Sequence, residues 1–357
     1  MRAARRPWLS RLLLTIFGVS ATLFFLEVAV RVEAVFDRNY LDAIVNSPEP
    51  RTNGELTLGD LIRPNADDLI VYELRPNLRG RFMGQEVSLN SLGMRDLERS
   101  RVKAPGTFRM AGLGDSHMFG WGVAREDSFL SVLESLLNQR IPGRHFECWN
   151  LAVPGYNSVQ EVEAFAAKAD TLQPDLIVIS FVANDMDLPN FLADRPNFWT
   201  LRKSFLRELV RRRTALLHGK SLSPLDLYGL RPQEQLESVA RINVPARFRP
   251  LLGTENMIGA YRRLGDMARS RGIPAVLVFT GTDPTGVEAM MKVGAESGFR
   301  TVDPTARITR YLAAHELQRS ALAVGHDDPH VSALTHRLIA EALFDFLVDR
   351  GLVAPRT

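Results

Sequence analysis

Residues 176–183 read LIVISFVA, with Ser180 the only polar side chain in the run. A stretch this short and this continuously apolar suits a strand buried on both faces, as found inside a parallel sheet with helices on either side. Working outward, further apolar runs stand at FRMAGL (108–113), FECWNLAV (146–153) and PAVLVFT (274–280), with a weaker one at FRTVD (299–303). Helical spacing fills the intervals 127–139, 158–172, 255–271, 286–297 and 305–317, and a final helix covers about 330–350. Strands alternating with helices of this length predict an α/β fold built on a parallel sheet.

The rhythm breaks in two places. Between Asn184 and about residue 254 the connection is too long for a plain loop. It contains WTLRKSFLRELVRRR (199–213), with Phe205, Leu206, Leu209 and Val210 on one helical face and Arg202, Lys203, Arg207, Arg211, Arg212 and Arg213 around the other. An inserted helical lid or cap over 185–254 is expected. Its arginines suit a solvated face, or contact with an anionic bilayer or polymer. Upstream, 47–58 (SPEPRTNGELTL) reads as a linker, and IVYEL and EVSLN, broken by Pro76, Gly80 and Gly84, predict a small β-meander over 70–92.

At the N-terminus, Leu12–Val30 is LLLTIFGVSATLFFLEVAV, nineteen residues with one charge, Glu27. As a helix it is about 28 Å long, close to the hydrocarbon thickness of a bilayer. Arg2, Arg5, Arg6 and Arg11 precede it, which keeps the tail (1–11) in the cytoplasm and sends the rest across. Glu27 and Arg31 lie four apart and are spaced to pair. A cleavable signal peptide is the competing reading. The apolar run is longer than such peptides carry, and no A-x-A site follows, so an uncleaved anchor is expected.

Composition excludes several classes. The chain has 357 residues, 44 Lys+Arg and 41 Asp+Glu, for a net charge of +3. Without the four arginines of the tail, 40 cations face 41 anions, so the body is not basic and nucleic acid is not an expected partner. Hydrophobic content of 45% is ordinary for a globular chain. A single cysteine, Cys148, can form neither an intramolecular disulfide nor a cysteine zinc site.

Ligand sites in such sheets lie beyond the carboxyl ends of the strands. Four polar or glycine signals fall there: Gly114-Asp115-Ser116 after the first main strand, Gly155 after the second, Asn184-Asp185 after the third, and Asp327-Asp328-Pro329-His330 before the last helix. A serine hydroxyl needs a base, and the base an orienting acceptor. Of seven histidines only His330 has an aspartate three residues earlier, so Asp327 is the expected orienter, His330 the base and Ser116 the nucleophile. Plainer explanations stand beside each: Asp327 or Asp328 with Pro329 suits a helix cap, Gly155 and Asn184 suit turns, Asp115 suits a structural acceptor, His336 suits a packed or solvated helix position, and Cys148 suits a buried small hydrophobe.

At these residues the chain resembles the SGNH/GDSL hydrolase family, over about 106–350. The blocks are Gly114-Asp115-Ser116, Gly155 in NLAVPGYN, Asn184 in VANDM, and Asp327/His330. The resemblance implies a flavodoxin-like three-layer α/β/α sandwich and a Ser116–His330–Asp327 triad. It also implies an oxyanion hole from the Ser116 and Gly155 N–H groups and the Asn184 amide. One departure is Val182, where the family's third block carries glycine. YELRPN and VSLNSLGMRD also look like segments of bacterial membrane-anchored members, which implies a single-pass inner-membrane protein with its catalytic domain in the periplasm. The expected activity is ester hydrolysis, of an O-acyl or O-acetyl group on a carbohydrate or lipid. The alternatives are an O-acyltransferase acting on an envelope glycan and a non-catalytic polymer-binding protein. No metal or organic cofactor is expected, and sequence leaves the oligomeric state open.

Overall fold

A computed structural model of the chain describes residues 7–36, 55–56, 58–182, 185, 204, 206–207, 209–210, 246–281, 286–325, 328 and 330–353. The chain divides into two compact units, residues 1–47 with 193–244, and residues 48–192 with 245–357.

In the first unit, helix α1 runs Pro7–Phe36. Its Arg11–Val32 stretch is long and apolar enough to cross a membrane, with a mean hydropathy of 2.1. Leu14, Phe17 and Phe25 are all exposed along it, a surface that water disfavours. Glu27 pairs with Arg31 one turn on, Nε to Oε1 at 2.8 Å, as the spacing predicts. Its other oxygen accepts from Ser204 Oγ and from the Leu206 N–H, both at 2.8 Å. Leu206, Arg207, Leu209 and Val210 are helical. The rest of the expected lid, with Phe205 and Arg211 to Arg213, lies outside the described residues.

In the second unit, the short helix α2 (Leu58–Leu61) leads into two small antiparallel sheets. They pair β1 (Ile62–Pro64) with β2 (Tyr72–Leu74), and β3 (Arg79–Phe82) with β4 (Gln85–Ser88). These are two separate ribbons rather than the single meander expected. The break falls at Pro76, which has no N–H to offer a ladder, and at Asn77, held at φ 60°.

The five apolar runs then become the five strands of one parallel sheet: β5 (Thr107–Leu113), β6 (His145–Asn150), β7 (Leu176–Phe181), β8 (Ala275–Phe279) and β9 (Arg300–Val302). Their order is β6-β5-β7-β8-β9, the flavodoxin-like arrangement. Ile177, Val178 and Ile179 are wholly buried in β7. The flanking helices are α3 (Ser116–Phe119), α4 (Phe129–Arg140), α5 (Ser158–Ala166), α6 (Ala169–Leu172), α7 (Gly253–Ser270), α8 (Val287–Glu296), α9 (Thr305–Ala314) and α10 (Ala333–Asp349). Helix α4 packs on α10, and α5 on α7. The strand order reverses beside β5, with β6 to one side and β7 to the other. The carboxyl ends of these three strands thus open onto one crevice.

Candidate active site

The loop after β5 is built for close approach. A Cβ on Gly114 would stand 2.1 Å from Ser180 Oγ and 2.7 Å from the Met118 Cβ, so no larger residue fits where β5 passes β7. Asp115, fully buried, caps α3 by accepting from the His117 N–H at 2.9 Å. This is the structural acceptor role anticipated for it. The cap sets Ser116 at the first position of the helix, with its Oγ toward the crevice. Gly120 ends the turn at φ 85°, the left-handed conformation that closes it.

His330 reaches this serine from the far end of the chain, its Nε2 standing 2.9 Å from Ser116 Oγ. Its Nδ1 stands 2.6 Å from Oδ1 of Asp328, which also accepts the His330 backbone N–H at 3.0 Å. The carboxylate on the imidazole is therefore Asp328, two residues before the histidine. The expected orienter, Asp327, lies outside the described residues. Nor is Asp328 the cap of the last helix. Helix α10 starts at Ala333, and its cap is Ser332, whose side chain accepts from the Thr335 N–H. That leaves the Asp328 carboxylate to the imidazole. The segment is held by the Val324 N–H on the His330 carbonyl at 2.7 Å and the Ser332 N–H on the Leu322 carbonyl at 2.8 Å.

Gly155 adopts φ 80° in the turn between β6 and α5. The next turn is fixed by a reciprocal cap: Asn157 accepts from the Gln160 N–H, and the Gln160 side chain accepts from the Asn157 N–H. Tyr72 of β2 secures the same turn, its hydroxyl donating to the Pro154 carbonyl at 3.2 Å. The Tyr156 hydroxyl in turn donates to the Tyr72 carbonyl. Asn184 lies outside the described residues. The neighbouring Asp185 is buried and accepts the Val182 N–H at 3.0 Å, while its own N–H bonds back to the Val182 carbonyl. The Val182 side chain lies 3.7 Å from the position of a Cβ on Gly281.

The electrostatics suit a neutral imidazole facing an ionised carboxylate. Burial lowers the His330 pKa from its ordinary value, the charge of His117 lowers it further, and Asp328 offsets part of this. Burial pushes the Asp328 carboxyl up. The hydrogen bonds from the His330 backbone and ring and from Trp121 outweigh it, and the group ends below its ordinary value. With Asp328 ionised, Nδ1 carries the proton, and Nε2 is left as an acceptor for the serine hydroxyl. His117 sits 5.5 Å away ring to ring, with Nδ1 at 2.9 Å from the Thr280 carbonyl. His336 is buried in α10, accepts the Phe129 N–H at 3.3 Å, and is lowered to about 3 by burial. Of the packed and solvated helix positions open to it, this is the packed one. No group of three or more His, Cys, Asp or Glu side chains among the described residues is arranged to hold a metal ion.

Two residues of the site were missed by sequence reasoning. Arg95 is buried and donates to the carbonyls of Phe119 at 3.1 Å, Gly120 at 2.5 Å and Val123 at 2.7 Å, clamping the loop that follows the nucleophile. Trp121 donates Nε1–H to Asp328 Oδ2 at 3.0 Å and stacks on His330. For Arg95 the only signal in the sequence was its place in VSLNSLGMRD; Trp121 carried none.

Among solved structures, the chain is similar to LAE5, an alpha/beta hydrolase enzyme from the metagenome of Lake Arreo, Spain. Identity is 16%, the match covers 71% of this chain and 98% of that one, and the TM-score is 0.40. A two-domain esterase active on acetylated mannans is 13% identical, over 70% of this chain and 51% of that one, with a TM-score of 0.42. Axe2, an acetylxylan esterase from Geobacillus stearothermophilus, is 15% identical, over 70% of this chain and 97% of that one, with a TM-score of 0.38. No curated protein matched the chain. The model of the GDSL-like lipase/acylhydrolase family matches residues 113–338. That match covers more than half of the chain and spans both the serine turn and the histidine segment, and the chain therefore belongs to this family of ester-bond hydrolases.

Proposed function

We propose that the protein is a serine esterase, anchored in a bacterial inner membrane by a single N-terminal span and working in the periplasm. Its substrate is an O-acyl or O-acetyl ester of a carbohydrate or lipid. In this layout residues 1–11 are a cytoplasmic tail, 12–30 the anchor, 31–105 a connecting segment with its β-ribbons, and 106–350 the hydrolase domain carrying an insertion over about 185–254. The observation that carries the catalytic reading is one continuous line of contacts, Asp328 Oδ1 to His330 Nδ1 and His330 Nε2 to Ser116 Oγ.

The chemistry follows from that line. Ser116 Oγ attacks the ester carbonyl as His330 Nε2 takes its proton, and Asp328 steadies the imidazolium that forms. The carbonyl oxygen gains negative charge, which the Ser116 and Gly155 N–H groups and the Asn184 amide are there to meet. The C–O bond to the alcohol breaks, and the proton on Nε2 leaves with the alcohol. Water then attacks the acyl-serine, gives its proton to Nε2, and releases the acid with Ser116 restored. The test is labelling of the full-length protein with a fluorophosphonate probe alongside p-nitrophenyl acetate hydrolysis. Ser116→Ala loses both if the reading holds. Label on another serine, or a fully active Ser116→Ala, removes it.

A further inference from the structure

The indole of Trp121 touches both partners of the nucleophile. Its Nε1–H donates to Oδ2 of Asp328 at 3.0 Å, while Oδ1 of the same carboxylate holds His330 at 2.6 Å. Its ring lies nearly parallel to the His330 imidazole, centroids 4.6 Å apart at 17°. The indole is itself held. Its backbone N–H donates to the Ser116 carbonyl at 3.0 Å, and the Phe82 ring of β3 meets it edge-on at 4.8 Å and 83°. One side chain therefore links the serine turn, the imidazole, the carboxylate and the small ribbon that precedes the domain.

Each contact removes a freedom that would harm the reaction. A carboxylate with one oxygen unbound can rotate away from Nδ1, and a donor on Oδ2 fixes its plane. An imidazole with an open face can swing off the serine, and the indole closes that face. The electron-rich indole also favours the imidazolium of the transition state over the neutral ring. We propose that Trp121 is a positioning residue of the triad, acting through Asp328 and His330 rather than on substrate. The inference rests on the Ser116–His330–Asp328 reading.

Trp121→Phe keeps a ring but removes the N–H. In full-length protein in detergent micelles, kcat for p-nitrophenyl acetate should fall about ten- to a hundredfold with KM little changed, the effect of losing a hydrogen bond to a charged group. With one donor fewer, the Asp328 charge bears more strongly on Nδ1, so the acid limb of kcat/KM should move to higher pH. Wild-type kcat and an unmoved limb in Trp121→Phe would overturn the proposal. If Ser116→Ala is inert in the same series, only Trp121 is then lost; if Ser116→Ala is fully active, the triad reading fails instead. A measurement on unaltered protein guards against a variant that does not fold. The Trp121 indole N–H resonance should shift with pH at the same midpoint as the kcat/KM limb, and an indole signal indifferent to that titration sinks the idea.

Discussion

His330 Nε2 stands 2.9 Å from Ser116 Oγ, a contact between residues 214 apart in the chain. The parallel sheet makes it possible. Ser116 follows β5 at its carboxyl end, and the segment before α10 returns the histidine to the same edge.

Asp328→Asn should lower kcat by about 10²–10⁴-fold with the fold intact, by analogy with triad orienters elsewhere. Asp327→Asn should stay within about threefold of wild type, since Asp328 is the carboxylate on Nδ1. Steady-state kinetics of the two variants decide the matter, and the reverse ranking would return the role to Asp327.

The pH profile should follow His330, which must be neutral to accept the serine proton. Its pKa is lowered by burial and by His117, so kcat/KM should rise with a midpoint below 6.5. Replacing His117 with Gln removes the neighbour whose charge lowers His330, makes protonation of His330 easier, and should move that midpoint up. A midpoint that stays in place or falls contradicts this account.

Stability should fall in acid because of a different histidine. His336 has a folded pKa of about 3 against an ordinary 6.5, so the unfolded chain binds more protons between those values. Its contribution is complete above pH 6.5 and is lost as pH falls toward 3, at up to about 1.4 kcal/mol per pH unit. His336→Gln should flatten this slope in urea melts run from pH 7 to 4.

Arg95→Met should destabilise the protein by about 3 kcal/mol, because three loop carbonyls lose a charged donor inside the protein. Arg95→Lys should recover part of the loss. Urea denaturation reports the stability, and loss of fluorophosphonate labelling reports the loosened serine turn.

A reporter active only outside the cytoplasm, fused after Thr357, should be active, and changing Arg2, Arg5, Arg6 and Arg11 to Glu should reduce its signal. Fractionation of the full-length protein with soluble cytoplasm would contradict the anchor.

How far the molecule could be read from its sequence depended on whether a feature was local. LIVISFVA announces a strand buried on both faces, and all five apolar runs became strands because burial on two faces leaves a continuous apolar signature. The Gly114-Asp115-Ser116 turn and His330 were legible for a similar reason, since each sits where a strand or helix changes to a loop. The choice between Asp327 and Asp328 was not legible. Asp-x-x-His and Asp-x-His both fit a short turn, and Ser332, not an aspartate, takes the cap of the last helix. The broken meander turned on Asn77 adopting φ 60°, which one residue's identity does not announce. Trp121 and Arg95 escaped notice because their partners are tertiary, with Asp328 lying 207 residues beyond Trp121.

The contacts of Tyr72 bear on where this protein can be cut. Tyr72 and Tyr156 bond to each other's turns, Gln160 Nε2 donates to the Ile70 carbonyl at 2.9 Å, and the Leu56 N–H bonds the Arg81 carbonyl at 2.6 Å. The stretch before β5 is thus a brace on the catalytic loops and not a tether. A version trimmed to begin at residue 106 would lose Tyr72 and Phe82, leave the Pro154–Tyr156 turn without its Tyr72 partners and uncover the face of Trp121 that Phe82 meets, and should aggregate or stay inert. One that begins before Glu55 keeps the brace whole, so a cut ahead of Glu55 should leave the loops around Ser116 supported and the serine open to labelling.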